Sequence, residues 1–308
     1  MAPQRAADQA ADVFADVVAE HVRRIQQRVP AAVTDEPDAV HRLRAAVRRL
    51  RTVLSVYRPV FDRAEATALR EHLARFGDVL GTARDLEVRR ADVESVGRDA
   101  RVSLDARAHL VSALDTRHAE AHRRLVDWCQ GPEWDELSGE LVRWVATPPR
   151  GKAAGKPARK VARKRLRKAV AKALRAADDV DLTATADVDV DVAPGGVEDE
   201  EMARAHRLRK AGRRLTHAAR AVTSNPTKVL GSSTRALGEI GKRIQSTLGD
   251  HRDMLLLARY ADEVGDTVAS RGGDRSGYDR LAHAARRRGR EALDEAASAV
   301  AALREATD

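Results

Sequence analysis

"VHRLRAAVRRLR", residues 40–51, places one histidine and five arginines beside a regular series of aliphatic residues. Plotted at about 100° per residue, Val40, Leu43, Val47, Leu50, Leu54 and Tyr57 fall into a single stripe, which predicts a helix packed on a core. His41, Arg44, Arg48 and Arg51 share a second face, with about one turn, ~5 Å, between neighbours. Arg42 and Arg49 point further round. A solvated helix would intersperse acids to form i,i+4 pairs, yet there is none between Val40 and Arg58. The ordered charge row is therefore read as a face for an anionic ligand rather than for water.

A chain of 308 residues with 43% hydrophobic content can bury a substantial core, as one large domain or as two of about 150 residues. Ala, Arg, Leu, Val, Asp and Glu dominate while aromatics are only 3%, a composition that favours long helices over sheets and predicts an all-α fold. The net charge of +9 points to an acidic or polyanionic partner. Cys129 is the sole cysteine, so no intrachain disulfide is available and a reducing cytoplasm is the expected compartment. The N-terminal "MAPQRAADQAADVFADVV" carries acids and lacks an apolar signal core, and no stretch approaches the ~18 apolar residues of a span. Neither export nor membrane spanning is expected.

An internal repeat organises the chain. "AHRLRKAGRRL" at 205–215 matches "VHRLRAAVRRL" at 40–50 in eight of eleven positions. Each copy is followed by the frame LGxxRD, in "LGTARDLEV" from Leu80 and "LGDHRDMLL" from Leu248. His41 precedes Asp85 by 44 residues and His206 precedes Asp253 by 47, so two homologous halves are expected, 1–150 and 151–308, each of about four helices. The patterning predicts helices near 6–29, 36–58 with Asp35 as N-cap, 62–97 and 102–130. A tryptophan-bearing segment, "PEWDELSGELVRWV", closes the first half. The second half is expected to hold helices near 157–176, 198–222, 228–265 and 275–305, after the linker "TPPRGKAAGKP". Residues 150–175 hold twelve Lys or Arg and no acid, whereas 178–201 hold ten Asp or Glu and no base. The acidic block includes "DVDVDVAPGG" and is read as a disordered loop.

HRLRxAxRRLR on a helix, LGxxRDLxV, then HRLRKAxRRL and LGDHRD together resemble the CHAD domain, the histidine-bearing α-helical domain that binds polyphosphate. The resemblance spans almost the whole chain. It implies two antiparallel four-helix bundles related by a pseudo-twofold internal repeat, with a basic groove or channel between them. With the first motif only about 40 residues from the N-terminus, it also implies a stand-alone member without the triphosphate-hydrolase domain that often precedes the family's fold. Carried over by position, the anion-contacting set is His41, Arg44, Arg48, Arg51 and Arg84 in the first half, and His206, Arg209, Arg213 and Arg252 in the second. Arg163 and Arg167 on the lysine-rich helix are further candidates. Thr216 stands where Arg51 would be repeated, which predicts a weaker second row.

Guanidinium groups suit such a ligand because they bind phosphate oxygens through paired donors, stay charged at every cellular pH and are less strongly hydrated than ammonium. The implied function is non-catalytic binding of inorganic polyphosphate, in the cytoplasm and at polyphosphate granules, with no cofactor and no metal. In each third helix, Gly77, Gly81 and Arg84, and likewise Gly241, Gly249 and Arg252, project to one side, where glycines admit a close neighbour. His41 and His206 fall with the arginines and are read as phosphate donors. His118 and His122 stand at i,i+4 with no third ligand evident, so they are read as an exposed helix face. Trp128, Trp134 and Trp144 are read as a satellite core cluster, and Leu166, Val170 and Leu174 as the buried stripe of the lysine-rich helix. The alternative partner is nucleic acid. Against it stand the scarcity of aromatics among the basic rows and the lack of a recognition-helix signature. A phosphohydrolase would need a carboxylate cluster for metal ions, and the only dense one lies in the expected loop.

Overall fold

The computed structural model describes residues 8–182 and 197–307. Among the described residues the chain is helical with no strand, and its only sheet-like pairings are isolated bridges, Gln9 with Pro157 and Phe61 with Arg150. The expected all-α class is the observed one. The helices are α1 (Ala10–Gln26), α2 (Val29–Val33), α3 (Ala39–Val56), α4 (Arg63–Asp99) and α5 (Leu104–Gln130). They continue as α6 (Pro132–Ala146), α7 (Ala158–Asp178), α8 (Val197–Thr223), α9 (Ser232–Ala269) and α10 (Ser276–Glu305). No helix among the described residues is long and apolar enough to cross a membrane.

Three local readings are corrected. The first expected helix is two, because Pro30 occupies the first turn of α2, where its missing N–H costs nothing and its fixed φ starts a new helix. Asp35 does not cap α3: the helix starts at Ala39 after Asp38, which has φ 61° and makes no side-chain capping bond. The expected linker is instead held in place by backbone hydrogen bonds. Ala10 and Ala11, in the first turn of α1, donate their N–H groups to the carbonyls of Lys156 (2.8 Å) and Ala154 (2.9 Å), which supplies the partners that a helix N-terminus lacks. Gly151 N–H donates to the Val60 carbonyl at 2.8 Å. Of the acidic block, residues 183–196, including "DVDVDVAPGG", lie outside the described residues; Asp178 closes α7 and Val197 opens α8.

The described residues pack as two compact units, drawn from Met1–Arg84, Ala121–Ala173 and Ala211–Lys242 on the one hand and Asp85–Glu120, Leu174–Lys210 and Arg243–Asp308 on the other. This partition by packing is distinct from the partition by repeat, since each unit takes residues from both sequence halves.

In the first unit α1 packs on α3 and α6. All six residues of the predicted α3 stripe, from Val40 to Tyr57, are at most 1% exposed. Phe14 of α1 meets Tyr57 with ring centroids 4.1 Å apart, and the Tyr57 hydroxyl donates to the Ala218 carbonyl at 2.7 Å. The last turn of α3 leaves carbonyls without intrahelical partners. Arginines fill that need: Arg165 Nε donates to the Val56 carbonyl at 2.5 Å, and Arg214 Nη1 to Ser55 Oγ at 2.8 Å with Nη2 3.4 Å from the Ser55 carbonyl. Cations there also complement the negative end of the helix dipole. Trp128 stacks on Phe76 at 4.3 Å and Trp134 meets Trp128 edge-on at 6.2 Å, while Trp144 pairs with Phe61 at 5.5 Å. Trp144 is buried and Trp128 and Trp134 are half-buried against the buried Phe76, so the tryptophans form two sets rather than one. Leu166 is buried as expected; Val170 and Leu174 are half-buried, and Ala158, Ala162, Ala169 and Ala173 complete the apolar face of α7 instead.

The second unit has its own core, built from Val93 and Val96 of α4, Leu110 and Leu114 of α5, Leu257 and Ala261 of α9, and Leu281 and Ala285 of α10. Tyr260 closes it, its hydroxyl donating to the Leu110 carbonyl at 2.9 Å.

The docked segment after α6 makes a sharp stability test. A Cβ on Gly151 would lie 2.1 Å from the Phe61 carbonyl oxygen, so Gly151→Ala should cost ~3 kcal/mol or more through backbone displacement. Gly139→Ala, within α6 and 3.8 Å from its nearest neighbour, the end of Arg143, should be neutral or stabilising by up to ~1 kcal/mol through helix propensity. Urea denaturation of both variants checks the contrast.

Candidate functional site

The charge row of α3 is not a solvated face. His41, Arg44, Arg48 and Arg51 are all half-buried, whereas Arg42, outside the row, is exposed. The row lies over the glycines of α4. A Cβ on Gly81 would sit 3.5 Å from Arg44 Nη2, and one on Gly77 would sit 3.2 Å from Arg51 Nη1. A Cβ would be in ordinary contact at Gly81 and slightly tight at Gly77, so Arg44 and Arg51 lie directly along the glycine backbone of α4. Burial draws the Arg51 guanidinium below its usual range, with Asp78 opposing the shift and Arg70 adding to it. Arg84, one turn along α4, stands 3.6 Å from Asp38, and Arg42 stands 3.8 Å from the same carboxylate. Asp38, placed by its left-handed backbone at the head of α3, thus lies between these two guanidinium groups.

The second unit repeats the central contact. A Cβ on Gly249 would lie 3.3 Å from Arg209 Nε, and Arg209 and Gly249 are the repeat counterparts of Arg44 and Gly81. His206, Arg209 and Arg252 converge on one cavity of about 280 Å³, whose wall also includes Met202, Leu248 and His251. His206 is exposed at its mouth and Arg209 half-buried. Arg252 has an acid beside it, with Nη1 3.5 Å from Asp253 Oδ1.

His251 is a lining residue that the sequence reading passed over, although it sits inside the quoted motif LGDHRD. It is 7% exposed and bonds through Nδ1 to the Gly289 carbonyl at 2.9 Å. A carbonyl can only accept, so Nδ1 carries the proton. Burial lowers the His251 pKa, and the bond to Gly289 opposes that shift. Its counterpart in the first copy is Ala83, so comparison of the two motifs pointed to it.

The remaining candidates separate from these sets. Arg213 belongs to the first unit and acts there on His217. Thr216, the counterpart of Arg51, is 1% exposed and donates its hydroxyl to the Gly212 carbonyl at 3.0 Å. The glycine is lost together with the arginine, since Gln245 stands at the repeat position of Gly77. Arg163 and Arg167 are exposed on α7; Arg165 between them faces inward to the end of α3. His118 and His122 are half-buried rather than exposed. His122 Nε2 bonds to the Ala32 carbonyl at 3.0 Å and His118 lies 3.6 Å from Glu87, because α5 has packing partners on that side.

Two solved structures share the fold along nearly all of the chain. PptA from Streptomyces chartreusis superposes with a TM-score of 0.65 at 17% identity, over 97% of this chain and 99% of that one. The crystal structure of the CHAD domain from the plant Ricinus communis gives 0.66 at 19% identity, over 96% and 93%. None of the curated proteins matches the chain in sequence. The CHAD domain family itself matches residues 16–262, from within α1 to within α9 and therefore across both copies of the arginine motif. The chain belongs to the CHAD domain family.

Proposed function

We propose that the protein binds inorganic polyphosphate, without hydrolysing it, through the arginines of both motif copies. The observation that carries this reading is the recurrence of one arrangement in both units, a half-buried arginine of the HRLR helix laid over the glycine of LGxxRD. A single half-buried arginine is ordinary. The same arginine repeated at the same register, with further guanidiniums one turn away, matches a linear ligand whose charges also repeat. Partial burial supports an anion of this kind because the guanidinium is weakly hydrated and forks onto phosphate oxygens. Membership of the CHAD family adds to the case. The first set carries Arg44, Arg48, Arg51 and Arg84, while the second lacks the fourth member of its helix row at Thr216, so the first set is expected to dominate.

Three outcomes test the reading. Replacing Arg44 and Arg48 by Ala should weaken polyphosphate binding at least tenfold, since each charged hydrogen bond is worth about 1.5–3 kcal/mol and a decade of affinity about 1.4 kcal/mol. Replacing Arg209 and Arg252 should weaken it less. Titration calorimetry, with circular dichroism to establish helicity, measures both, and single- and double-stranded DNA at matched charge should bind more weakly than polyphosphate. Affinity should also fall at least tenfold between about 50 and 200 mM salt if several phosphates are neutralised; a flat response would remove charge neutralisation as the driver. Finally, incubation of polyphosphate with the protein and magnesium should release no orthophosphate above the protein-free control.

A further inference from the structure

A second basic cavity lies in the first unit, away from the glycine face of α4. It is about 280 Å³ in volume and is walled by His21 and Arg24 of α1, Arg49 of α3, His217 and Arg220 of α8, and Asn225. None of these belongs to the arginine row or to LGxxRD. Arg49 is one of the two arginines of α3 that point away from that row.

Two observations mark this cavity out. His217 is 7% exposed, and among the described residues neither of its ring nitrogens has a hydrogen-bond partner; the same holds for Nδ1 of His21. A buried polar atom without a hydrogen-bond partner carries a desolvation cost, and native structures leave few of them. The cavity also collects positive charge. Its one carboxylate, Glu20, is engaged by Arg23 and by Arg24 (2.6 Å), and Arg220 lies 3.2 Å from Glu239. Arg49 is held below its usual range by burial and by Arg220, Arg28 and Arg24. The two imidazoles are accordingly neutral. Burial, then Arg24 and Arg49, takes His21 down to about 4, while burial, then Arg48, Arg49, Arg213 and Arg220, holds His217 well below the ordinary imidazole range.

We propose that this cavity binds a compact tetrahedral oxyanion bearing a hydroxyl, namely phosphate, either as free orthophosphate or as the terminal group of a phosphate chain. Guanidinium forks of Arg49 and its neighbours take the charged oxygens. A neutral imidazole offers one N–H and one lone pair, so it can give a hydrogen bond to one phosphate oxygen and accept one from a P–OH. Sulfate near neutral pH has only acceptors and would leave the lone pairs unsatisfied, which makes the site selective. The volume lies below the ~300–1,000 Å³ of drug-sized sites and holds a small ion with several waters of ~30 Å³ each. The proposal does not rest on polyphosphate binding by the arginine rows.

The test is titration of the full chain with sodium orthophosphate, followed by calorimetry and by the ¹⁵N imidazole signals of His21 and His217. Saturable binding that shifts both histidines, at least tenfold tighter than for sulfate, is expected. Arg49→Gln should weaken it at least tenfold. Glu20→Gln, which removes the competing carboxylate, should tighten it severalfold, a gain that misfolding cannot mimic. Tripolyphosphate separates the two sources: if a chain terminus is the ligand it shifts the same histidine signals and an end-blocked chain does not, whereas if only the free ion fits, neither does. Histidine signals unmoved by both orthophosphate and tripolyphosphate, or moved equally by sulfate, would overturn the proposal.

Discussion

Placing arginine on a core helix is costly, because a guanidinium taken from water must find other partners, and α3 does so along a whole face while burying the adjacent one completely. The helix can satisfy both demands only if the element packed on its charged side leaves room. The glycines of α4 provide that room at Gly77 and Gly81. The end of α3 is held by the same type of group used differently: Arg165 and Arg214 spend their donors on Val56 and Ser55, where positive charge complements the negative end of the helix dipole. Arginine therefore has two environments here, one at the end of α3 where its donors are spent on the fold and one over the glycines of α4, and only the neighbours of each residue separate them.

The concentration of guanidinium charge also shapes its surroundings. Together with burial, which is the larger cause, it lowers the pKa values of His21 and His217. In the second unit the acid beside Arg252 is Asp253, and Asp250 is pushed above the usual carboxylate range by burial and by Asp253 and Glu295. The two motif copies are not identical. Thr216 stands at the position of Arg51 and Gln245 at that of Gly77, so the second copy has neither member of the Arg51–Gly77 contact, and it has His251 where the first copy has Ala83.

Much of this was legible in the linear sequence. Helical periodicity marked α3, and the core stripe from Val40 to Tyr57 is buried residue for residue, because an i, i+3, i+4 pattern of aliphatic side chains has one low-energy solution, a helix with that face inward. The repeat linked Arg44 to Arg209 and Gly81 to Gly249 before any contact was known. The same reasoning was less reliable where periodicity is weak or where backbone geometry decides. Asp35 had the right chemistry for a cap but not the right position, and the small, basic and proline-rich stretch at 147–157 read as a linker although its carbonyls complete the start of α1.

The sequence by itself determined the helical class, the two motif copies and the faces on which their charges lie, all of which follow from local geometry, since 3.6 residues per turn fixes which side chains share a side. Only the tertiary structure decided which arginines are spent on the carbonyls that end α3 and which lie over the glycines of the neighbouring helix. Arg163, Arg165 and Arg167 look alike along the chain, yet one of them caps α3 and the other two are exposed. Tertiary packing likewise brought His21 and His217 to one cavity from positions 196 residues apart in the chain. Distance along the chain says nothing about such pairs, because their meeting depends on how separate helices cross.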